Sequence, residues 1–452
     1  MTLAHWLYVL GVLVVIATMV SRRNVVIPSI VFTFLLGLVV HGSLVKGVQT
    51  IFDASFTAAT ELFNIFLIIG LMVAMLKVLS LTGADEKMIT PLRKLFVSPT
   101  ISYIVLAVTT LVVALFFWPT PSVPLVGGLL APVAIAAGLP PMMAAMAIAL
   151  AGQGMALAGD VIIQGAPKIT ASAAGVPVEL VLVRGGIFTL IAGVVALGLG
   201  YILMRPEIAK FKAQRDAGVE VAATAAAMRV GGTAAAERVD KPGVAGFLAA
   251  LVPIVMLLAI VAMFQFKILG GDASALLGGA AAVILVLGSL LSKGWSAFDD
   301  IADYIADGFI FAFKIMGPII PIAGFFFLGA GYLADVGNML SAYISGTGVV
   351  AHFGMLIVGM ITGLDGSGFS GLPLVGALAG ALAPGSPVHT ATLGAVGQIG
   401  AIWSGGGTLV AWCSLIAVAG MVGVPVLDLV RKNLVPVLAG LFVATLVAVL
   451  FM

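Results

Sequence analysis

The sequence predicts an all-α polytopic membrane protein made of two inverted repeats, each with five transmembrane helices and one re-entrant hairpin, and with broken helices at the bilayer midplane. Three observations lead there: a charge-poor apolar composition, one hydrophilic stretch between two sets of apolar segments, and collinear matches between those sets. Of 452 residues, 62% are hydrophobic and 9% charged, where soluble domains are about a quarter charged. Stretches such as 185–204 and 273–292 carry no charge over the roughly twenty residues a helix needs to cross the hydrocarbon core. A soluble enzyme is excluded.

The remaining totals narrow the field. With 21 basic and 19 acidic residues and a net charge of +2, no basic face is available for nucleic acid. The single cysteine, Cys413, and the scattered His5, His41, His352 and His389 supply no disulfide and no metal-ligand spacing. Neither a resident metal nor any other cofactor is expected. At the start of the chain Arg22 and Arg23 follow the apolar run instead of preceding it, so it reads as a retained helix with its N-terminus outside.

Apolar segments lie near 4–20, 25–45, 61–82, 99–138, 141–173 and 179–204, then near 244–267, 273–292, 307–332, 348–384, 387–421 and 426–451. Residues 205–243 between them, with seven basic residues and an Ala-rich run, read as a flexible cytoplasmic linker. The first repeat is thus 1–204, with scaffold helices in 1–82 and a transport part in 99–204. The second is 244–452, with scaffold helices in 244–332 and a transport part in 348–452. Matches run in order: Ile51-Phe52-Asp53 with Ala297-Phe298-Asp299, Glu61 with Asp307, Ala84-Asp85 with Ala334-Asp335, Pro124-Leu125-Val126-Gly127 with Pro373-Leu374-Val375-Gly376, and Gly152-Gln153 with Gly397-Gln398.

Segments 99–138 and 348–384 are too long for one crossing, and each is interrupted by helix breakers. The first contains Trp118-Pro119-Thr120-Pro121-Ser122, the second Asp365-Gly366-Ser367-Gly368-Phe369-Ser370-Gly371. Each reads as a re-entrant hairpin, and irregular backbone at that depth is tolerated only against protein or an aqueous cavity. The alternative is two ordinary crossings joined by a tight turn. Charge favours hairpins: with five crossings per half, Arg22, Arg23, Lys87, Arg93, Lys94, the linker cations, Lys293, Arg431 and Lys432 share one side, opposite Lys46 and Lys267. The positive-inside rule makes that side cytoplasmic and puts both termini outside, as in a multi-pass protein of the cell (inner) membrane.

After each hairpin comes a helix with a Gly-rich polar interruption, Gly152-Gln153-Gly154 through Asp160 and Gly397-Gln398 through Ser404-Gly405-Gly406-Gly407-Thr408. Unwinding there exposes carbonyls to a cation and half-helix N-termini to an anion. Candidate substrate ligands are Thr120, Ser122, Gln153, Ser367, Ser370, Gln398, Ser404 and Thr408. Charges at membrane depth cost about 2.5 to 3.5 kcal/mol each, which singles out Asp160 and Asp365 as carriers of a coupling Na+ or H+. Neither has an acidic repeat mate, Asp160 aligning with Gly405. The competing assignment for Asp160 is a helix cap or an ion pair with Lys168.

The arrangement resembles the ion transporter superfamily, which includes divalent anion/sodium symporters, citrate-metal symporters, gluconate permeases and C4-dicarboxylate carriers. Asp365-Gly366-Ser367-Gly368-Phe369-Ser370 is similar to the hairpin tips of the citrate and dicarboxylate carriers, and Ser404-Gly405-Gly406-Gly407-Thr408 to their broken-helix loop. Pro119-Thr120-Pro121-Ser122 departs from the Ser-Asn-Thr triplet of the divalent anion/sodium symporters, leaving the ion and the number of carboxylates open. The resemblance implies a homodimer in which hairpins and broken helices move as an elevator against the scaffold. The expected function is a symporter importing a small organic anion, a carboxylate above all, with H+ or Na+ across the lipid bilayer. A cation/proton antiporter of the same architecture is the runner-up, and a partner-dependent subunit or channel a third reading. No nucleophile–base set or P-loop suggests an enzyme.

Overall fold

Helix boundaries fall where the sequence supplies caps and breakers in the computed structural model, which describes every residue except 1, 22, 120–125, 217–238, 240, 267, 269–270, 341–347, 366–367, 385, 411–412 and 452. The described residues are almost wholly helical. α1 (Leu3–Val20) is followed by α2 (Val26–His41), which stops at Gly42, where a φ of 62° turns the N–H back onto Leu38 O. The Ser43 hydroxyl caps α3 (Leu44–Thr82) by accepting from the Lys46 N–H. A bend of 85° leads into α4 (Ala84–Ile89) and a 3-10 turn, Thr90–Leu95. Ser98 caps α5 (Pro99–Phe117), with proline at the first helical position, where its missing N–H costs nothing. α6 (Val126–Ala136), α7 (Pro141–Gly159), α8 (Gly165–Ala174) and α9 (Val178–Asp216) complete the first half.

The second half runs α10 (Pro242–Phe266), α11 (Gly271–Lys293), α12 (Ala297–Met316), α13 (Ile319–Leu340), α14 (Val349–Thr362), α15 (Leu372–Leu382), α16 (Pro387–Gly405), α17 (Cys413–Val422) and α18 (Val426–Phe451). Among the described residues, six helical spans are long and apolar enough to cross a membrane: Pro99–Phe117, Pro141–Gly159, Val178–Gln214, Pro242–Met263, Ala275–Lys314 and Val426–Phe451. The bent pair at Phe66–Leu95 would make a seventh. The molecule is a helical, multi-pass membrane protein.

Three details differ from the sequence reading. It expects ten crossings, yet α2, counted among them, has 16 residues, and at 1.5 Å per residue it falls short of the roughly 30 Å of a hydrocarbon core. Apolar composition runs on past turns such as Gly42, whereas the helix does not. Second, α5 alone has the length of a crossing, unlike the arms on either side of Asp365, because its break comes only at Trp118. Third, α9 stays helical to Asp216, well into the stretch expected to be a flexible linker. Pro206 sits within it, and the Lys210–Glu207 pair at 3.0 Å spans adjacent turns on its polar end.

Helices from the two halves interleave. α3 packs along α11, α12 and α13, and Lys77 of α3 pairs with Asp307 of α12. α9 lies against α16 and α18, while α8 lies against α15. A separate apolar cluster, with Tyr8, Phe32, Phe325, Phe326 and Leu374, joins α1 and α2 to α13 and α15. Residues at the helix termini also bond one another: Val239 N–H donates to Leu81 O at 3.0 Å, Lys87 Nζ to Pro242 O at 2.5 Å and Lys241 Nζ to Leu291 O at 3.4 Å. The His5 ring, edge-on to Tyr332, meets Asp335 at 2.9 Å elsewhere.

The crossing of α14 and α16 has no room for side chains. A Cβ on Gly359 would strike Gly397 O, one on Gly405 would strike Gly363 O, and one on Gly400 would lie 2.7 Å from Leu356 O. Backbone meets backbone along this seam, as small residues permit between membrane helices. We expect Gly359→Val to cost about 1–3 kcal/mol, as overpacking does, and to lower the thermal unfolding midpoint of the detergent-purified protein. Gly354→Ala, on the same helix but facing open space, should leave that midpoint unchanged or raise it.

Candidate functional site

The two interrupted segments meet. α5 ends at Trp118, whose φ of 66° is strained for a residue with a Cβ. Its ring lies 5.3 Å, centroid to centroid, from that of Phe369 in the second break, and both are buried. Gly368 beside it adopts a φ of 71° and would, with a Cβ, press on Ile402 Cα at 2.9 Å. Residues 363 and 368 thereby lie against the C-terminal end of α16.

Within α7 the residues Ala149–Ala156 form π-helical turns. Such turns widen a helix and recur at functional sites. At their centre Gln153 is fully buried, and both its Oε1 and Nε2 have no partner among the described residues. Each vacant buried polar atom costs about 1–3 kcal/mol. Next to it, Gly154 leaves space for an aromatic ring: a Cβ there would lie 2.5 Å from the indole of Trp403. Trp403 is wholly buried and donates its Nε1–H to Thr189 Oγ1 of α9 at 3.0 Å.

α7 stops at Asp160, where φ is 39° and ψ 44°, and the chain resumes as α8 after Gln164, with φ 64°. Two left-handed residues without glycine's freedom in one turn indicate that tertiary contacts hold the break. The Asp160 carboxylate accepts the Ala166 N–H on Oδ2 at 2.8 Å and the Gln164 N–H on Oδ1 at 3.2 Å. At 4% exposure it caps α8, the competing assignment from the sequence. Among the described residues Lys168 forms no ion pair with it. A largely apolar cavity of about 380 Å³ opens beside this turn, bordered by Ile162, Gln164, Gly186, Leu190, Ile260 and Met263.

On α16, Gln398 is also fully buried. Its Nε2–H donates to Ala158 O at 2.9 Å, leaving Oε1 vacant. A carbonyl acceptor can be bonded only by the amide nitrogen, so this orientation is unambiguous. Ser404 is buried with its Oγ unpartnered. Thr408 donates its hydroxyl to Trp403 O, and its own carbonyl accepts from Asn433 Nδ2 at 3.1 Å. Arg184 of α9 links the same helix through Nε–H to Thr392 Oγ1 at 2.9 Å.

The predicted residues therefore divide. Gln153 lies on α7 and Gln398 and Ser404 on α16, two helices in direct contact, with Thr408 just past the end of α16 and Asp160 at the end of α7. Ser370 is buried in the turn that covers α16. Thr120, Ser122 and Ser367 fall outside the described residues, as does the side chain of Asp365, whose backbone closes a 3-10 turn, Gly363–Asp365. Trp403, Thr189 and Arg184 were not singled out from sequence. For Trp403 a signal existed: a large ring inside a Gly-rich interruption must find a glycine-sized space elsewhere.

The chain is 37% identical over 464 aligned positions to the uncharacterized membrane protein YhfA of Bacillus subtilis (strain 168), an alignment covering 99% of this chain and 98% of that one. No family model matches it.

Gly154→Ala should push the Trp403 ring off α7 and break its bond to Thr189, and Thr189→Val should remove the acceptor at a cost of about 1 kcal/mol. Both are expected to shift tryptophan emission of the purified protein, and Trp403→Phe should abolish the shift.

Proposed function

The chain belongs to the same family as the Bacillus subtilis membrane protein YhfA, and we propose that it is a secondary active symporter that imports a small organic anion, a carboxylate in the first instance, with H+ or Na+. The observation that carries this reading is the contact between two interrupted helices through matching motifs. Gln398 bonds to Ala158 and Trp403 stacks over Gly154, leaving the Gln153 amide, Gln398 Oε1 and Ser404 Oγ vacant in a buried region. Intramembrane polar groups left without partners are costly, and a polar ligand that bonds them recovers that cost. Interrupted helices meeting at depth are how secondary transporters bind charged cargo with neutral donors and dipoles.

The proposed architecture is a pair of inverted repeats working as an elevator in a homodimer, with α1–α3 and α10–α13 as scaffold and α5–α9 and α14–α18 carrying the site. The brevity of α14 and α15 supports a hairpin in the second repeat. Bonds among Leu81, Lys87, Val239, Lys241, Pro242 and Leu291 support a common, cytoplasmic side for the loops that the basic residues assign to it, with both termini on the outer side of the cell membrane. Asp160 and Asp365 are the carboxylates at the breaks and the proposed carriers of the coupling ion. Two vacant acceptors, Gln153 Oε1 and Gln398 Oε1, favour a second reading in which the cargo is itself a cation exchanged for H+.

Reconstituted protein is expected to accumulate at least one labelled carboxylate when a Na+ or pH gradient is imposed, and Asp365→Asn should reduce gradient-driven accumulation by about tenfold or more. Cation-driven proton efflux with no uptake of any acid would instead select the antiporter.

A further inference from the structure

The vacancy at Gln398 has a fixed polarity. Its Nε2 is held on Ala158 O, so the buried atom left open is Oε1, an acceptor. An ionised carboxylate only accepts and cannot bond it, whereas a hydroxyl can. The carboxylate of an anionic cargo therefore needs donors elsewhere, and α9 carries a cation that reaches the same helix. Arg184 is half-buried, donating its Nε–H to Thr392 Oγ1 of α16 at 2.9 Å and an Nη1–H to Leu180 O at 3.1 Å. A guanidinium has more N–H groups than these two bonds use. Lys77, Lys210, Lys293 and Arg431 each pair with a carboxylate, but among the described residues Arg184 has no acidic partner. The next residue, Gly185, lies against the Gln398 amide, where a Cβ would come within 3.2 Å of Nε2. Thr392 and Gln398 are about 9 Å apart along α16. A short carbon chain bridges that span once a hydrogen bond of about 3 Å at each end is counted.

We infer that Arg184 binds the carboxylate of the cargo and Gln398 Oε1 a hydroxyl of the same molecule, so that the substrate is a hydroxy acid laid along the seam between α9 and α16. The inference rests on the transport reading above and adds a charge to its neutral donors. The planar fork of an arginine matches a carboxylate, and such charge-assisted bonds are about twice as strong as neutral ones. A cationic cargo, which the open acceptors alone would also admit, meets like charge at Arg184. On the proposed topology α9 starts at the outer face, so an anion entering from outside meets the half-buried Arg184 before the fully buried Gln398. The competing role for Arg184 is a tie between α9 and α16 through Thr392 that touches no cargo.

The test is binding to the full-length purified chain, with Kd read from the rise of its thermal unfolding midpoint with ligand concentration, at a pH where every carboxyl is ionised. The probes are 3-hydroxybutyrate, glycerate and gluconate, their deoxy counterparts butyrate, propionate and hexanoate, and the uncharged amide of each hydroxy acid. Wild type should bind at least one hydroxy acid about tenfold or more tightly than both its deoxy counterpart and its amide, the worth of one buried hydrogen bond in each comparison. Arg184→Gln should weaken that acid about tenfold or more, and Arg184→Lys, which keeps the charge and loses the fork, should weaken it less. A tie through Thr392 predicts that the two variants weaken it alike. Equal affinity for acid and amide, or for hydroxy and deoxy acid, overturns the inference in wild type alone, whether or not the variants fold. Wild-type affinity in Arg184→Gln, or equal loss in both variants, overturns it as well. If no hydroxy acid binds while proteoliposomes accumulate another carboxylate, the inference falls and the transport reading stands. If nothing binds and nothing is accumulated, both fall.

Discussion

Inside a bilayer an unbonded backbone N–H or C=O has no water to turn to, and the form of this molecule's centre follows from that constraint. Helices that stop at Trp118, Asp160 and Gly363 leave polar groups which neighbouring elements must bond or shelter. Asp160 answers for the N–H groups of Gln164 and Ala166 at the start of α8, Gln398 for the carbonyl of Ala158, Thr408 for that of Trp403, and Asn433 for that of Thr408. Where bonds do not reach, close approach excludes lipid. The α14–α16 seam and the Trp403 ring over Gly154 leave no passage for an acyl chain. Glycine thus serves both needs here, allowing the chain to turn and letting another element close over it.

Against that shared constraint, the two interrupted helices differ. Gln398 is anchored, whereas Gln153, its match in the first half, has neither amide atom bonded among the described residues. The Trp403 carbonyl, which lies at the position matching Ala158 in the Gly-Gln alignment, accepts from Thr408 of its own loop.

Strain is concentrated at the same place. Trp118, Asp160 and Gln164 are the residues other than glycine with positive φ among those described. Each costs about 1–3 kcal/mol in a conformation the chain avoids when free, and all three lie at breaks. Ordinary helix ends in the molecule turn through glycine, as at Gly42, Gly83 and Gly175, so the exceptions mark where a side chain was needed more than an easy turn. For Asp160 the need is visible in the two N–H groups it holds.

Much of this was legible in the residues alone. Apolar length and scarce charge determine a polytopic helical membrane protein, since a bilayer tolerates little else, and Gly-Gln motifs at matching places mark Gln153, Gln398 and the breaks. Sequence pattern does not report where an apolar run stops being helical, so a crossing is expected at α2, which is too short for one, and α9 continues past Pro206 into a stretch that composition alone assigns to a linker. Nor does it show which backbone groups a carboxylate at a break holds, and only the distances from Asp160 to the N–H groups of Gln164 and Ala166 reveal its cap. The packing of Trp403 over Gly154, between residues far apart in the chain, was likewise decided in three dimensions. Periodicity and composition are local properties, while the partners of a buried polar group are chosen by whatever the fold brings within about 3 Å of it.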